Sequence, residues 1–242
     1  LNHAFLMAIV AVLGTTISPY LFFWQASEEV EEEISAGRVS QEERTGATDR
    51  ELRYAGVDVG IGMLLSNLVM YFIILTTAAT LHKGGLTNVG SAEEAARALE
   101  PLAGQGAKYL FAIGIIGAGF LAVPILTGAA AYATGEAMGW RYGFDVKPRQ
   151  AKAFYGVIIG ATIVGMLINF AGINAIQALY WSAVINGLLA PPLLFLVMRV
   201  SNSQSVMGSR TNHPLVNALG WIATIVMTLA ALGLIGSWII GR

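Results

Sequence analysis

Long apolar runs separated by short polar connections dominate this sequence. About 20 consecutive apolar residues suffice for a helix to cross the hydrocarbon core of a bilayer. Six segments have this character, and we predict each to be a membrane-spanning helix. They cover residues 4–25, 54–81, 107–135, 153–172, 174–198 and 214–240. The pattern predicts an all-α polytopic membrane protein, with residues 1–242 forming a single, partial transmembrane domain of six helices.

The first segment is interrupted at its midpoint. Residues 14–20 read Gly-Thr-Thr-Ile-Ser-Pro-Tyr. Pro19 lacks a backbone N–H and disfavours helical geometry at Ser18, so we expect the helix to be broken within residues 14–19. Irregular backbone at membrane depth is tolerated where it is buried in protein or lines a cavity, and transporters bind ions and substrates at such breaks. The alternative is a kinked helix that serves packing only.

The fifth segment contains a second candidate for a break. Pro191 and Pro192 lie inside it, a short distance after Asn186. We expect the two prolines to disturb the helix, so that the first and fifth segments face each other across a site. Asn186 is then a candidate for the ion pathway, although an interhelical hydrogen bond is the simpler role for a membrane asparagine.

The single acidic residue Asp58 and a run of glutamates have different interpretations. Asp58 lies about one turn inside the second segment, and an acidic residue in a membrane span suggests ion or proton handling. The alternative for Asp58 is an acid held by the N–H groups of the helix start. Five glutamates lie within residues 27–33, which we interpret as a solvated helical face.

Small residues cluster in the third segment. Gly114, Gly117 and Gly119 lie close together, and residues 128–131 read Gly-Ala-Ala-Ala. Small side chains let helix backbones approach one another in membranes. We therefore predict close helix packing along this segment.

Composition supports a membrane protein and excludes several functions. Hydrophobic residues make up 55% of the chain, charged residues 12%, and the mean hydropathy is +0.64. The net charge of −1 leaves no basic face for nucleic acid, so we expect no nucleic-acid partner. The chain has no cysteine, which excludes disulfides and thiolate metal sites. It also lacks the motifs of zinc proteases, serine hydrolases and phosphate-binding loops, so we expect no enzyme and no cofactor.

The basic residues predict an orientation. Ten of the fourteen Lys and Arg residues follow the first, third and fifth segments. Because basic residues accumulate on the cytoplasmic side, both ends of this chain are expected outside the cytoplasm. The simplest interpretation of the external N-terminus is a missing N-terminal half with an odd number of spans. We expect an integral protein of the bacterial inner membrane.

The order of these segments resembles the second half of the Nramp divalent-metal transporters. Residues 14–20 resemble the family's broken sixth helix, which typically reads Gly-Ala-Thr-Val-Met-Pro-His. The span around Asp58 resembles the seventh helix, residues 111–132 the eighth, and residues 182–191 the tenth. The resemblance implies helices six to eleven of an eleven-helix, LeuT-like inverted-repeat transporter. It therefore implies the second half of the repeat plus one extra helix.

The resemblance also implies a metal site with unusual ligands. In the family, a carbonyl of the broken helix and a Met side chain bind the metal, together with an Asp and an Asn from the first helix. Thr15 occupies the carbonyl position, Ser18 the Met position, and Tyr20 replaces a His. Ala183 stands where the family has Gln, which leaves Asn186 as a nearby polar substitute. The Asp and Asn of the first helix lie outside this chain.

These departures shape the expected function. Loss of the thioether removes the one soft ligand that favours transition metals, whereas a hydroxyl or water suits Mg²⁺, Ca²⁺ or Mn²⁺. We expect secondary transport of a divalent metal ion as substrate, with weakened transition-metal selectivity. Loss of the His leaves Asp58 as the candidate for coupling to protons in symport. Two alternatives stay open: a LeuT-like carrier of amino acids or other small solutes, and a membrane subunit that transports nothing.

Overall fold

In the computed structural model, every regular element within the described residues is helical. The structure describes residues 3–83, 85, 89–97, 100 and 104–240. A π-helical turn, Ala78–His82, extends the third helix, and a 3-10 turn, Gly104–Gly106, precedes the fifth. The helices are α1 His3–Thr16, α2 Pro19–Ser35, α3 Asp49–Thr77, α4 Ala92–Arg97, α5 Ala107–Met138, α6 Lys152–Phe170, α7 Ala175–Ser201, α8 Gln204–Met207 and α9 Pro214–Ile240. The expected all-α fold class is therefore confirmed.

Five helical segments of the described chain are long and apolar enough to cross a membrane. Their bounds are His3–Ser35, Asp49–His82, Ala107–Met138, Ala175–Ser201 and Pro214–Ile239. Lys152–Ile168 forms a shorter apolar helix. The helices lie where the hydropathy pattern placed its six segments, and the crossing of a membrane by all six stays a prediction.

Polar side chains define several helix ends. The Thr48 hydroxyl accepts from the Glu51 N–H at 3.2 Å, while the Glu51 carboxylate accepts from the Thr48 N–H at 2.7 Å. This reciprocal capping box starts α3. The side-chain oxygen of Asn174 accepts from the N–H groups of Ile176 and Gln177 and so starts α7. Gly139 ends α5 with a φ of +65°, a conformation that glycine adopts readily.

The first of two compact units comprises residues 1–23 and 171–242. It contains α1, the start of α2, and helices α7 to α9. Helices α1, α7 and α9 pack against one another in pairs. Their buried core consists of Val10, Ala11, Ala183, Val184 and Leu234.

The second unit comprises residues 24–170 and is built differently. Helices α5 and α6 pack together around a core of Ala131, Tyr132, Ala151 and Phe154. Helix α3 has no buried residue in this structure. Gly114, Gly117 and Gly119 meet no atom within 4 Å at the position of an added Cβ, so the close packing expected at these glycines is absent among the described residues.

The expectation of a broken fifth segment is wrong. Helix α7 runs without interruption from Ala175 to Ser201 and contains Pro191 and Pro192 in its interior. The two prolines deprive the carbonyls of Gly187 and Leu188 of their usual N–H donors four residues later. Proline's fixed φ nevertheless fits a helix, and the rest of the helical ladder continues on both sides.

Candidate metal centre

The chain has a short irregular segment between α1 and α2. Helix α1 ends at Thr16 and α2 begins at Pro19, so Ile17 and Ser18 lie outside both helices. The Ile17 N–H donates to the Leu13 carbonyl at 3.0 Å, and the Leu21 N–H donates to the Ser18 carbonyl at 3.1 Å. These two bonds close the turns on either side of the break.

The carbonyl of Thr15 is the group that this break sets free. In a continuous helix it would accept from the N–H of residue 19, but Pro19 has no N–H. The Ser18 hydroxyl donates to this carbonyl instead, at 3.2 Å. The Thr15 hydroxyl itself donates to the carbonyls of Ala11 and Val12 at 2.7 and 3.0 Å. Thr15 therefore presents its backbone oxygen, whereas its side chain is used within α1.

Ser18 brings a second oxygen to the same place. Its residue is only 8% exposed, whereas Thr15 is exposed overall. The 3.2 Å between the Ser18 Oγ and the Thr15 carbonyl oxygen is close to the separation of neighbouring ligands on one cation. Ligands at right angles lie about 2.9 Å apart on Mg²⁺ and about 3.4 Å apart on Ca²⁺. The structure thus brings together the two residues that the sequence predicted as metal ligands.

Helices α1 and α7 approach each other very closely just before the break in the chain. A Cβ added to Gly14 would lie within 2.5 Å of the Ala183 carbonyl oxygen and of the Gly187 nitrogen. A Cβ added to Gly187 would collide in the same way with the Val10 carbonyl. The two backbones are therefore in direct contact, and only glycine fits at either position. This contact fixes the last turn of α1 directly before Thr15.

Tyr20 and Asn186 belong to the same unit as this site. Tyr20 is half-buried in the first turn of α2, and its hydroxyl has no partner among the described residues. Asn186 is half-buried beside Gly187, which places it level with the stretch of α1 between Val10 and Gly14. Asn186 therefore lies about one turn or more along α1 from Ser18.

Asp58 lies in the other unit, on α3. Its side chain is exposed, as are the neighbouring side chains of that helix. Within the described residues its carboxylate has no hydrogen-bond or ion-pair partner. The role of Asp58 stays a prediction.

The unit that contains Thr15 and Ser18 carries no carboxylate. All fifteen Asp and Glu residues of the sequence fall within residues 24–170. Within the described residues, no group of three or more His, Cys, Asp or Glu side chains is placed to hold a metal ion. The two oxygens at the break are both uncharged. They can contribute to the coordination of a hard cation, but a complete site needs charged ligands from elsewhere.

A polar link in the second unit was missed by the sequence interpretation. Glu31, in the acidic run interpreted as solvated, accepts from the Tyr132 hydroxyl at 2.7 Å and from the Phe144 N–H at 3.0 Å. Tyr132 is 1% exposed and packs edge-on against Trp24, Phe144 and Phe154. The spacing of Trp24, Glu28 and Glu31 on one face of α2 was the available signal. It could not identify the partners, which lie more than 100 residues away.

Comparison with known proteins gives a family match over nearly the whole chain. The family model described as natural resistance-associated macrophage protein-like, or Nramp, matches residues 1–237. Several bacterial proteins named divalent metal cation transporter MntH are also similar. The protein from Bradyrhizobium diazoefficiens is 24% identical over 241 residues, which cover 99% of this chain and 51% of that protein.

Two further relatives are covered to a similar extent. The protein of this name from Yersinia pestis is 26% identical over 230 residues, covering 93% of this chain and 50% of that protein. The one from Aeromonas hydrophila is 24% identical over 221 residues, covering 91% of this chain and 49% of that protein. The chain thus spans about half the length of the curated relatives it matches.

Proposed function

We propose, because this chain belongs to the Nramp family, that it forms the second half of a carrier that moves divalent metal cations across a membrane. Proteins of this family are integral membrane transporters, so the expectations of a membrane protein and of no enzymatic activity are confirmed. The metal ion is the substrate of the carrier, and transport requires no cofactor.

One observation carries the proposal. Pro19 frees the Thr15 carbonyl, and the buried Ser18 hydroxyl lies 3.2 Å from it. Freed carbonyls and hydroxyls at a helix break are the groups with which carriers replace the hydration shell of an ion. When a cation binds, the Ser18 proton turns away from the Thr15 carbonyl, and both oxygens face the ion.

The ligand chemistry sets the selectivity. Both groups are hard oxygen donors, and neither offers a sulfur atom that would favour a transition metal. The carrier accordingly accepts both Mg²⁺ and Mn²⁺, and its selectivity for transition-metal ions is weakened. The negative charge comes from an Asp of the first helix, and an Asn of the same helix adds a neutral oxygen ligand; both lie in an N-terminal half that precedes this chain. The resemblance of residues 14–20 to the family's broken helix supports this assignment.

The test is metal uptake by the full-length protein in proteoliposomes. Wild-type protein should import both Mn²⁺ and Mg²⁺. Replacement Ser18→Met introduces a thioether and should raise the Mn²⁺ to Mg²⁺ uptake ratio by about tenfold, equivalent to 1.4 kcal/mol of discrimination. Replacement Ser18→Ala removes the hydroxyl and should weaken uptake of both ions. An unchanged ion preference in Ser18→Met would show that residue 18 is not a ligand.

Two neighbouring threonines provide matched controls. Thr15→Val removes a hydroxyl that donates only within α1 but keeps the backbone carbonyl, so uptake should persist. Thr16→Val removes a hydroxyl that likewise donates to carbonyls of α1, and it should also leave the ion preference unchanged. Loss of uptake in Thr15→Val would contradict the backbone-carbonyl assignment.

The same assay separates the two alternative functions. Uptake of an amino acid or another small solute without any divalent ion would identify a different LeuT-like carrier. Absence of every uptake activity, in protein shown to be folded, would favour a subunit that transports nothing. Either result would overturn the proposal.

Asp58 couples metal movement to protons in this proposal. Its carboxyl group lies on an apolar helix of membrane length, where an acidic residue by default indicates the handling of ions or protons. Asp58→Asn should abolish metal-driven proton uptake, measured with a pH-sensitive dye inside the liposomes. The carrier resides in the bacterial inner membrane, and both ends of this chain lie outside the cytoplasm. The accessibility of epitopes placed at these two positions in intact cells would check the orientation.

A further inference from the structure

The charge of the first unit is entirely positive. Its charged residues are Arg199, Arg210 and Arg242, since all fifteen carboxylates and the other eleven basic residues lie within residues 24–170. Arg199 therefore has no acidic side chain within its own unit with which to form an ion pair. Arg199 is exposed in the last turn of α7 and has no hydrogen-bond or ion-pair partner among the described residues.

Arg199 lines a cavity at the ends of α7 and α9. The cavity has a volume of about 640 Å³ and is bounded chiefly by Met198, Arg199, Asn202, Ser203, Asn217 and Trp221. A hydrogen bond of 2.6 Å from the Asn202 amide to the Asn217 side-chain oxygen joins the two helices beside it. The Asn202 amide also donates to the Met198 carbonyl at 2.8 Å. The cavity wall is therefore held in place by side chains that are themselves hydrogen-bonded.

The groups that face this cavity are mostly unused hydrogen-bond donors. Besides the Arg199 guanidinium, the side-chain NH₂ of Asn217 and the indole N–H of Trp221 donate to no group within the described part of the chain. Asn217 lies in the first turn of α9, and the positive dipole end of that helix offsets the negative end of α7 beside the cavity. A guanidinium with neighbouring N–H donors and no carboxylate is suited to a phosphate group.

The surroundings of the cavity are apolar in the manner of a membrane interface. Trp221 packs edge-on against Phe195 at 5.8 Å, and tryptophan is typical of the boundary between headgroups and acyl chains. Val200 and Val206, which also line the cavity, are 50% and 64% exposed. These apolar side chains favour a phosphate that carries an acyl chain over one that is free in water.

We propose that this cavity binds the phosphate of an anionic phospholipid headgroup. Arg199 forms the charged contact, Asn217 and Trp221 donate further hydrogen bonds, and the acyl chains lie along Phe195 and Val200. The lipid supplies the negative charge that the sequence of this unit lacks. This assignment depends on the chain's place in a membrane and is independent of which ion is carried.

The test is lipid binding to the purified, delipidated full-length protein, followed by native mass spectrometry. The protein is titrated with phosphatidylglycerol and with phosphatidylcholine of the same acyl chains. Wild-type protein should bind the first phosphatidylglycerol roughly fivefold more tightly, the effect of one basic residue near an anionic surface. Arg199→Gln should remove this preference, and Trp221→Phe should reduce it while retaining the ring.

Arg141→Gln is the matched control. Arg141 is also exposed, but it lies in the unit that contains all the carboxylates. Its replacement should leave the preference for phosphatidylglycerol intact. Retention of the preference in Arg199→Gln, or an equal loss in both variants, would overturn the site. Displacement of phosphatidylglycerol by excess inorganic phosphate would assign the cavity to free phosphate and overturn the lipid. A thermal unfolding scan confirms that each variant is folded.

Discussion

Different kinds of interaction hold the helices together inside each of the two units. In the first unit, α1 and α7 meet backbone to backbone at Gly14 and Gly187, and no acidic residue is present. In the second, a carboxylate at Glu31 and a cluster of aromatic rings join α2, α5 and α6. The second unit also contains α3, a long apolar helix without one buried residue.

The two units therefore tolerate substitutions at different positions. Contacts between glycine backbones leave no room for a side chain, so the stability of the first unit depends on the close packing of α1 against α7. The contacts of Glu31 are hydrogen bonds to a charged carboxylate, so the stability of the second unit depends on polar interactions. The candidate metal ligands lie directly after the glycine contact, and their positions are therefore set by packing.

The largest expected effect is that of a methyl group at the glycine contact. In Gly187→Ala the new Cβ would overlap the Val10 carbonyl, which belongs to backbone and cannot rotate away. Overpacking of this kind should destabilise the protein by about 3 kcal/mol or more. Thermal unfolding of the purified protein in detergent measures the change. Metal uptake should also fall, because displaced α1 moves Thr15 and Ser18.

Glycines in open surroundings provide the control for that replacement. Gly236 lies in α9 and Gly160 in α6, and an added Cβ meets no atom within 4 Å at either position. Replacement by alanine there should leave stability unchanged or raise it by up to about 1 kcal/mol through helix propensity. A similar loss of stability in Gly187→Ala and Gly236→Ala would show that the contact between α1 and α7 is unimportant.

The next effect is expected at Glu31 in the second unit. Glu31→Ala leaves the Tyr132 hydroxyl and the Phe144 N–H without their acceptor. Loss of two hydrogen bonds to a charged group, one of them from a buried tyrosine, should cost about 2–3 kcal/mol. Thermal unfolding should detect this loss. Glu31→Gln retains an acceptor oxygen and should recover about half of it.

Glu29 is the matched control on the same helix. It is exposed, and its described contact is a hydrogen bond from the Gln25 amide at 2.9 Å. Glu29→Ala should change stability by less than about 0.5 kcal/mol. If Glu29→Ala and Glu31→Ala behave alike, the acidic run is a solvated face, as the sequence first indicated.

Helix caps provide a smaller and sharper comparison. Asn174 caps α7, which packs against α1 and α9, whereas Thr48 caps α3, which has no buried residue. Removal of either cap should cost about 1 kcal/mol locally. In Asn174→Ala the cost should lower the unfolding temperature. In Thr48→Val it should appear as faster hydrogen exchange confined to the first turns of α3. Global destabilisation by Thr48→Val would contradict this difference.

Much of this fold could be predicted because its determinants are local. Membrane-length apolar runs locate the long helices, and the missing N–H of Pro19 alone predicts the break and the free Thr15 carbonyl. Pro191 and Pro192 led to a wrong prediction, because the sequence does not show how much helix on either side compensates for their lost hydrogen bonds.

The contacts of Gly14 with Gly187 and of Glu31 with Tyr132 escaped prediction for another reason. Their partners lie more than 100 residues apart, and many glycines and glutamates of the chain look equally suitable. Gly114, Gly117 and Gly119 form the more obvious small-residue stripe, yet they meet nothing within 4 Å among the described residues. Only the tertiary arrangement distinguishes a glycine that is required from one that is tolerated.

The smallest effect is expected at Arg38, which follows α2 and pairs with one carboxylate of α2 and one of α3. The Arg38 guanidinium lies 2.6 Å from Glu33 and 2.9 Å from Glu51, and these two carboxylates raise the pKa of Arg38. All three side chains remain partly exposed, so Arg38→Gln should lower the unfolding temperature only slightly. The decrease should shrink further as salt is added, because exposed ion pairs are screened. Unfolding temperatures measured at low and high salt, with exposed Arg141→Gln as the control, would check this. If the loss of stability in Arg38→Gln does not depend on salt, Arg38 acts through packing. The second unit would then resemble the first in being stabilised by packing at this position as well.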